Sequence, residues 1–418
     1  MITLNEGQQE CKTKILGAIS NAVDFYTLKG AAGVGKTTLV AHIINNIPMG
    51  KTVCVATPTH KATKVARKMG IERGISHRVD YNTIHAVLGI KPVRKGGEEV
   101  YAKDKYAEEK VYDVLIIDEA SMLGDDIIQY ILECESVTII FIGDSYQISP
   151  VNNSGRISLA FTEVADVSSL TKIVRYDNPI INLATSIRDS QDNKTDMEVI
   201  ETDLDDNGEG VMVLGFKMWF DRLIKEFKSD KFKRSKDHCR VVAYTNSSVD
   251  KLNDKIRKVI HGDDVEEYII GDVVVAQRGH KRNEFKNADE LEIVGITELY
   301  DSEYGYDYWE LHVRSLEDSN MFRLNVLKST SETKFQAKLN ELKSEAYVNF
   351  ETSSECWAKF WVLMDKYFPV KHIYCCTGHK SQGSTFNNTF LFLKDFQGMP
   401  HLMVDDAIQL KQLVYTVV

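Results

Sequence analysis

The sequence predicts an α/β protein built on parallel sheets, with a small β-hairpin and a β-rich module inserted into it. Three observations carry this. Short apolar runs at 25–28, 52–56, 111–117 and 137–142 read as fully buried strands, and helical patterns lie between them. Each run ends in polar residues, so chemistry collects at one sheet edge, where strand C-termini meet in open α/β folds. The same texture returns at 239–245 and 372–376, and short alternating runs from 269 to about 370 separate the two.

The first run leads into Gly30-Ala31-Ala32-Gly33-Val34-Gly35-Lys36-Thr37-Thr38, and Leu39, Val40, Ile43 and Ile44 recur at helical spacing just after it. This is a P-loop between a strand and a helix, and that order separates it from a chance glycine-rich turn. Its glycines let backbone N–H groups turn inward on phosphate oxygens without a Cβ in the way. The helix that begins near Lys36 aims its positive end at the same anion. Lys36 reaches the β- and γ-phosphates, and the Thr37 hydroxyl can ligate Mg²⁺.

A chain of 418 residues has length for two to four domains and a sizeable core. No apolar h-region follows the polar N-terminus, and no apolar run is long enough to span a bilayer. Seven cysteines without metal-ligand spacing point to buried thiols in a reducing, cytoplasmic compartment. A net charge of −10 argues against nonspecific coating of nucleic acid, but leaves room for a local basic groove.

Taken in order, Asn5-Glu6-Gly7-Gln8 opens an amphipathic helix with Cys11, Ile15, Leu16 and Ile19 on one face. Gln8, upstream of a P-loop, can read an adenine edge or simply be a polar group at a helix start. The second run ends in Thr57-Pro58-Thr59-His60-Lys61, with Lys64, Arg67 and Lys68 on the helix beyond. Hydroxyls and cations at a strand end suit a phosphate backbone, although a solvated helix face carries the same charges. Asn82-Thr83-Ile84-His85 opens a short helix. Residues 91–110 form a hairpin about Lys95-Gly96-Gly97, with Val100 and Tyr101 near its tip or on its far strand. The third run ends in Asp118-Glu119, placed for one carboxylate to hold Mg²⁺ and the other to polarise the attacking water. The fourth ends in Gly143-Asp144-Ser145-Tyr146-Gln147. Arg175 follows a further apolar stretch, and 192–210 reads as an acidic surface loop or hairpin. After 239–245, Asn246 precedes a helix marked by Val249, Leu252 and Ile256. The β-rich stretch encloses a charged helical segment at 333–350, and its cluster Tyr300, Tyr304, Tyr306, Tyr308 and Trp309 reads as sheet packing rather than a base-stacking platform.

These stretches occur in one order: the P-loop, Ala56-Thr57-Pro58-Thr59-His60-Lys61, Asn82-Thr83-Ile84-His85, Asp118-Glu119-Ala120-Ser121, Gly143-Asp144-Ser145-Tyr146-Gln147 and Thr377-Gly378-His379-Lys380-Ser381-Gln382-Gly383. The set resembles the motifs of superfamily 1 helicases of the 5′-to-3′ branch, the RecD-like superfamily 1B group, over nearly the whole chain. The P-loop and acidic pair alone give an NTPase; His379-Lys380-x-Gln382-Gly383 makes the resemblance specific.

The resemblance implies two RecA-like domains with ATP and Mg²⁺ bound between them. The first spans 1–175 and carries a duplex-splitting pin hairpin at about 89–111. The second spans 176–268 and 370–418, and an SH3-like accessory domain is inserted at 269–369. It implies that Lys36, Glu119, Gln147 and Arg175 are catalytic, with Gln147 sensing the γ-phosphate and Arg175 stabilising the transferring phosphoryl group. Gln8 reads adenine, residues 30–38 and Gly383 hold nucleotide, and Thr37 and Asp118 hold the metal. Pro58, Thr59, His60, Lys61, Thr83, His85, Asn246, His379 and Lys380 face the single strand, and Tyr101 lies on the pin. The implied partners are single-stranded and fork DNA, with a single-stranded-DNA-binding protein or other replication proteins. The implied setting is a monomer in DNA replication, recombination and repair, in the host cytoplasm if the chain is encoded by a bacteriophage.

One departure stands out. The family's last motif follows a Leu-Tyr-Val-x-x-Thr-Arg pattern whose arginine contacts the γ-phosphate. Gln412-Leu413-Val414-Tyr415-Thr416-Val417-Val418 reproduces its beginning without the arginine. The expectation is a chain short of its last strand that binds ATP and single-stranded DNA but turns over poorly. Its alternative is a nucleotide-gated single-strand-binding protein. A small-molecule phosphotransferase would need an acceptor pocket that no motif suggests, and an RNA track stays open because backbone contacts carry no sequence information.

Overall fold

The four apolar runs of the N-terminal third do pair side by side. The computed structural model describes residues 3–31, 33–103, 109–148, 158–172, 178–192, 199–279, 285–397 and 407–417. Strands β1 (Phe25–Gly30), β2 (Val53–Thr57) and β3 (Asp80–Thr83) precede an antiparallel hairpin, β4 (Ile90–Lys95) and β5 (Glu98–Lys103). Then come β6 (Val114–Ile117), β7 (Thr138–Gly143) and β8 (Val167–Leu170). One sheet takes the order β3-β2-β6-β7-β1-β8, with every neighbouring pair parallel. Successive residues face opposite sides. Ile116 and Ile140 pack with Ile15, Leu39 and Ile43; Leu115, Ile117 and Phe141 pack with Ile84, Ile128 and Ile131. Both faces are covered, so these strands read as continuous apolar runs. Each fully buried side chain of this kind contributes roughly 1.5–3 kcal/mol.

Beyond a short hairpin, β9 (Asp203–Leu204) with β10 (Gly210–Val211), the chain lays down β11 (Cys239–Ala243). It then leaves for an antiparallel sheet of β12 (Val273–Ala276), β13 (Glu290–Asp301), β14 (Tyr306–Ser315), β15 (Met321–Leu327) and β16 (Val370–His372), in the order β15-β14-β13-β12-β16. It returns as β17 (Cys375–Thr377) and β18 (Asn388–Leu391), which flank β11 in a second parallel sheet. The inserted sheet thus takes in residues 370–372, just past the expected boundary, and the chain re-enters the parallel sheet three residues later.

The inserted stretch is more helical than its sequence texture suggested. The charged segment is a helix, Ser329–Val348, and a second, Ser353–Lys366, follows it. Phe335, Leu339 and Leu342 of the first meet Phe360 and Leu363 of the second over Tyr306 and Tyr367. Of the aromatic cluster, Tyr306 is buried in this core, while Tyr300 is exposed.

This helical pair receives the β4–β5 hairpin. Arg94 makes a two-pronged ion pair with Asp365, 2.5 and 2.9 Å, and lies over the Trp361 ring at 4.2 Å. The Trp361 indole N–H donates to the Gly96 carbonyl at 2.8 Å. A Cβ on Gly97 would sit 2.6 Å from the Trp357 ring, which Tyr347 and Phe360 hold edge-on at 5.3 and 5.5 Å. Because that ring is packed, Gly97→Ala should undock the hairpin tip. Amide exchange across 90–103 is expected to quicken about tenfold or more, with the parallel sheets unaffected. Unchanged protection there would mean that the Trp357 ring yields at no cost.

Candidate nucleotide and strand-binding site

The phosphate loop follows β1 and leads into the helix Lys36–Asn46. Gly33 and Gly35 adopt φ of 79° and 82°, the left-handed region that a side chain disfavours. The Lys36 ammonium turns back and donates to the carbonyls of Gly30 (2.6 Å) and Ala31 (3.1 Å). An entering phosphate therefore competes for a cation already aimed into the loop. Gln8 is buried in the first turn of its helix. Its carbonyl accepts from the Asn5 N–H at 3.0 Å, and its amide donates to Val34 at 3.0 Å. The expected adenine reader is thus also a strut between the N-terminal helix and the P-loop. Ala32 and Arg175 lie outside the described residues.

Asp118 and Glu119 follow β6 on the same rim. The Glu119 backbone N–H donates to Asp118 Oδ1 at 3.0 Å, and Glu119 itself sits at φ 57°, ψ 39°. A non-glycine residue pays of order 1–2 kcal/mol for that conformation, and such strain clusters at working sites. Burial pushes the Glu119 carboxyl up to about 7, with Asp118 and Asp144 adding to the rise and Lys36 opposing it. Burial raises Asp118 likewise, against the pull of Lys36. Two crowded carboxyls thus face one lysine among the described residues. Among the described residues no group of three or more His, Cys, Asp or Glu could hold a metal by itself. Mg²⁺ usually takes one or two carboxylates and fills its shell with water and phosphate oxygens, so Asp118 with the Thr37 hydroxyl fits that pattern. Gln147 joins this rim after β7: the Ser121 hydroxyl donates to its side-chain carbonyl at 3.4 Å.

The strand-facing candidates occupy the neighbouring loops. Thr59 and Thr83 cap the helices that follow β2 and β3, accepting from Ala62 N–H (3.1 Å) and Ala86 N–H (3.3 Å). Pro58 precedes the first cap. His85 packs against Tyr101 of the hairpin, ring centroids 4.8 Å apart. Lys286 of the inserted module lies 3.2 Å from His60, and Lys64 reaches Glu317 and Asp289. A cleft between the first sheet's loops, the second parallel sheet and the inserted sheet is lined by Lys61, Asn246, Lys371, Thr377, Lys380 and Phe386. The Asn246 side chain accepts from Lys371 at 3.3 Å, and Lys380 donates to Gln277. Burial holds His379 below the ordinary histidine range. Gly383 approaches across the cleft; a Cβ there would lie 3.8 Å from Ala62.

Sequence reasoning missed Phe386, whose ring lies between Arg240 (4.9 Å) and Lys61 (5.9 Å), and it missed Lys371. An arginine inside the apolar run 239–243 was the available signal. Arg240 is buried, ion-paired to Glu290 at 2.8 Å.

A P-loop, a strand-end carboxyl pair and a glutamine-bearing loop share one sheet rim, beside a cationic cleft bordered by a second parallel sheet. This defines a P-loop NTPase of the two-sheet class. Comparison with known proteins narrows it. Residues 3–206 match the family described as an AAA domain. The chain is 30% identical over 447 residues to the ATP-dependent DNA helicase dda of Enterobacteria phage T4, covering 99% of this chain and 96% of that protein. It is 32% identical over 162 residues to the ATP-dependent RecD2 DNA helicase of Deinococcus radiodurans, covering 38% of this chain and 21% of that one. In fold it is similar to a structure of Pif1 helicases at forked double-stranded DNA, with a TM-score of 0.50 and 17% identity over all of this chain and 90% of that one. The chain belongs to the superfamily 1B family of ATP-dependent DNA helicases.

Glu119 binds its proton more tightly in the folded chain than in the unfolded one, where its ordinary value is 4.5. The stability this contributes is complete below that value and is lost as pH rises through about 7. In the ligand-free chain, Glu119→Gln should raise the thermal unfolding midpoint at pH 8, and the gain should shrink steadily as pH is lowered towards 5. A gain independent of pH would assign the effect to packing rather than charge.

Proposed function

We propose that this chain hydrolyses ATP to move 5′-to-3′ along single-stranded DNA and to separate the duplex at a fork. The observation that carries the reading is the shared rim. Loops that can hold a triphosphate and loops that present hydroxyls, imidazoles and cations leave the same edge of one sheet. Movement of the second parallel sheet against that edge would alter both sites together. The proposed units are residues 1–175, 176–268 with 373–418, and an inserted module from 269 to 372. Both sites are built within one chain, which suits a monomer.

In this reading the P-loop amides and Lys36 hold the β- and γ-phosphates, and Gln8 holds the loop and the adenine edge. Thr37 and Asp118 would hold Mg²⁺, which supplies charge neutralisation on the phosphates when bound. Glu119 orients the attacking water and accepts its proton, and Gln147 contacts the γ-phosphate. Arg175 takes the role the family motif gives it, neutralising charge on the transferring group. The track runs through the cleft beside Thr59, His60, Lys61, Thr83, Asn246, His379 and Lys380. Contacts of this kind go to phosphate and sugar and fix register without reading sequence. Protein partners would include a single-stranded-DNA-binding protein, which shares the same track.

The direct test is steady-state ATPase with and without single-stranded DNA, with unwinding of 5′-tailed and 3′-tailed duplexes. Strong DNA stimulation and unwinding of the 5′-tailed substrate alone are expected. Lys36→Ala should abolish both while leaving the unfolding midpoint near that of the parent. Stimulation by RNA instead would reassign the track, and binding of ATP and DNA without turnover would reduce the chain to a nucleotide-gated binding protein.

The hairpin generates a separate expectation. Tyr101 is 55% exposed and rests on His85, so one ring face is free to meet an opened base pair. Tyr101→Ala should lower the rate of strand separation several-fold more than it lowers DNA-stimulated ATPase. Equal loss of both would mean that the ring supports the fold rather than the fork.

A further inference from the structure

The loop after β7 belongs to the first sheet by sequence and to the second by packing. Its Ile148 is buried in a core otherwise made by Val242, Phe396, Leu413 and Val417. Three polar contacts cross at the same place. The Tyr415 hydroxyl donates to Asp144 Oδ2 at 2.7 Å, and the Ile148 N–H donates to the Thr416 hydroxyl at 2.9 Å. The Gln382 amide donates to the Ile148 carbonyl at 3.2 Å. Asp144 is fully buried, with the Tyr146 N–H donating to its other oxygen at 3.0 Å. Tyr415 and Thr416 lie on the helix Ala407–Val417, and its Leu413 packs so closely on Gly378 that a Cβ there would fall 2.5 Å away. Gly378 begins the turn that carries His379 and Lys380.

We propose that Tyr415 is a positioning residue that links the strand cleft to the nucleotide rim through the loop 144–148. The inference rests on the function proposed above. A shift of the 378–383 turn on binding a strand moves the helix through Leu413 and the loop through Gln382. The helix carries Tyr415 and Thr416, which fix Asp144 and Ile148 on either side of Gln147. A fully buried carboxyl tolerates few positions, because each lost donor costs its full desolvation penalty. The loop therefore follows the helix rather than flexing independently, and Gln147 moves with it.

Tyr415→Phe deletes the hydroxyl and keeps the ring packing; Thr416→Val does the same for the second contact. In the full chain Tyr415→Phe is expected to lower the ratio of DNA-stimulated to DNA-free kcat about tenfold, the effect of losing one hydrogen bond to a buried carboxyl, and Thr416→Val, which removes a neutral acceptor from the Ile148 N–H, to lower it a few-fold. KM for ATP and Kd for an oligo-dT strand should stay within about twofold of the parent. An unchanged ratio in both variants overturns the proposal. So does a fall in kcat accompanied by parallel rises in KM and Kd, which would give the hydroxyls a packing role alone. Amide exchange supplies a readout independent of turnover. Oligo-dT alone should change protection of residues 144–148 in the parent and leave it unchanged in Tyr415→Phe. If the parent shows no DNA-stimulated ATPase, the proposed function fails, and identical exchange responses in parent and variant would sink the link on its own.

Discussion

Parallel pairing is the constraint from which the site follows. A strand that pairs parallel to its neighbour must cross back over the sheet, so each strand of β1, β2, β3, β6 and β7 ends at the same edge. The register sets Thr57 beside Thr83, Ala56 beside Ile117, Ile117 beside Phe141 and Lys29 beside Gly143. Phosphate loop, carboxyl pair, glutamine loop and strand-facing loops thereby become neighbours although more than a hundred residues separate the first from the last. Packing on both faces keeps that edge rigid, so a change at one loop is felt at the next rather than absorbed.

Charge on the rim is arranged around a deficit. Among the described residues, Lys36 is the cation that offsets Asp118 and Glu119, and Asp144 adds to the rise of Glu119; Lys36 meanwhile spends its donors on the carbonyls of its own loop. A triphosphate with a divalent ion would relieve both strains at once: the anion takes the lysine and the cation takes the carboxyls. The left-handed backbone at Glu119 sits at the same place, where the chain breaks from the strand into a short turn.

Most of the first sheet was legible because its strands are buried on both faces and its motifs have fixed places at strand ends. The hairpin was legible from Lys95-Gly96-Gly97, the turn that β4 and β5 flank. What the sequence hid were contacts between distant segments. The helix Ser353–Lys366 has apolar residues at Cys356, Phe360 and Leu363, a helical spacing, yet tryptophans and β-rich neighbours masked it. Arg94 gave no sign of its partner, since Asp365 lies 271 residues away. Gln8 carried two readings, and the structure shows the strut while leaving the adenine contact to be tested. The stretch 412–417 matched a motif by its letters, but its helical form and its grip on Asp144 and Ile148 come only from three-dimensional packing.

The same distinction explains how an acidic chain can follow an anionic track. The net charge of −10 is a whole-chain sum, whereas a phosphate feels the potential within roughly 8–10 Å at physiological salt. Lys61, Lys371 and Lys380 converge on one cleft, and Arg240 lies beneath Phe386 with Glu290 as its counter-ion. In the proposed reading, the track would follow this one cationic path, along which the nucleotide rim can respond. A uniformly basic protein would hold DNA in many poses, most of them out of reach of Gln147. Confinement to a single groove is what would let hydrolysis at one edge of the sheet become directed movement along a strand.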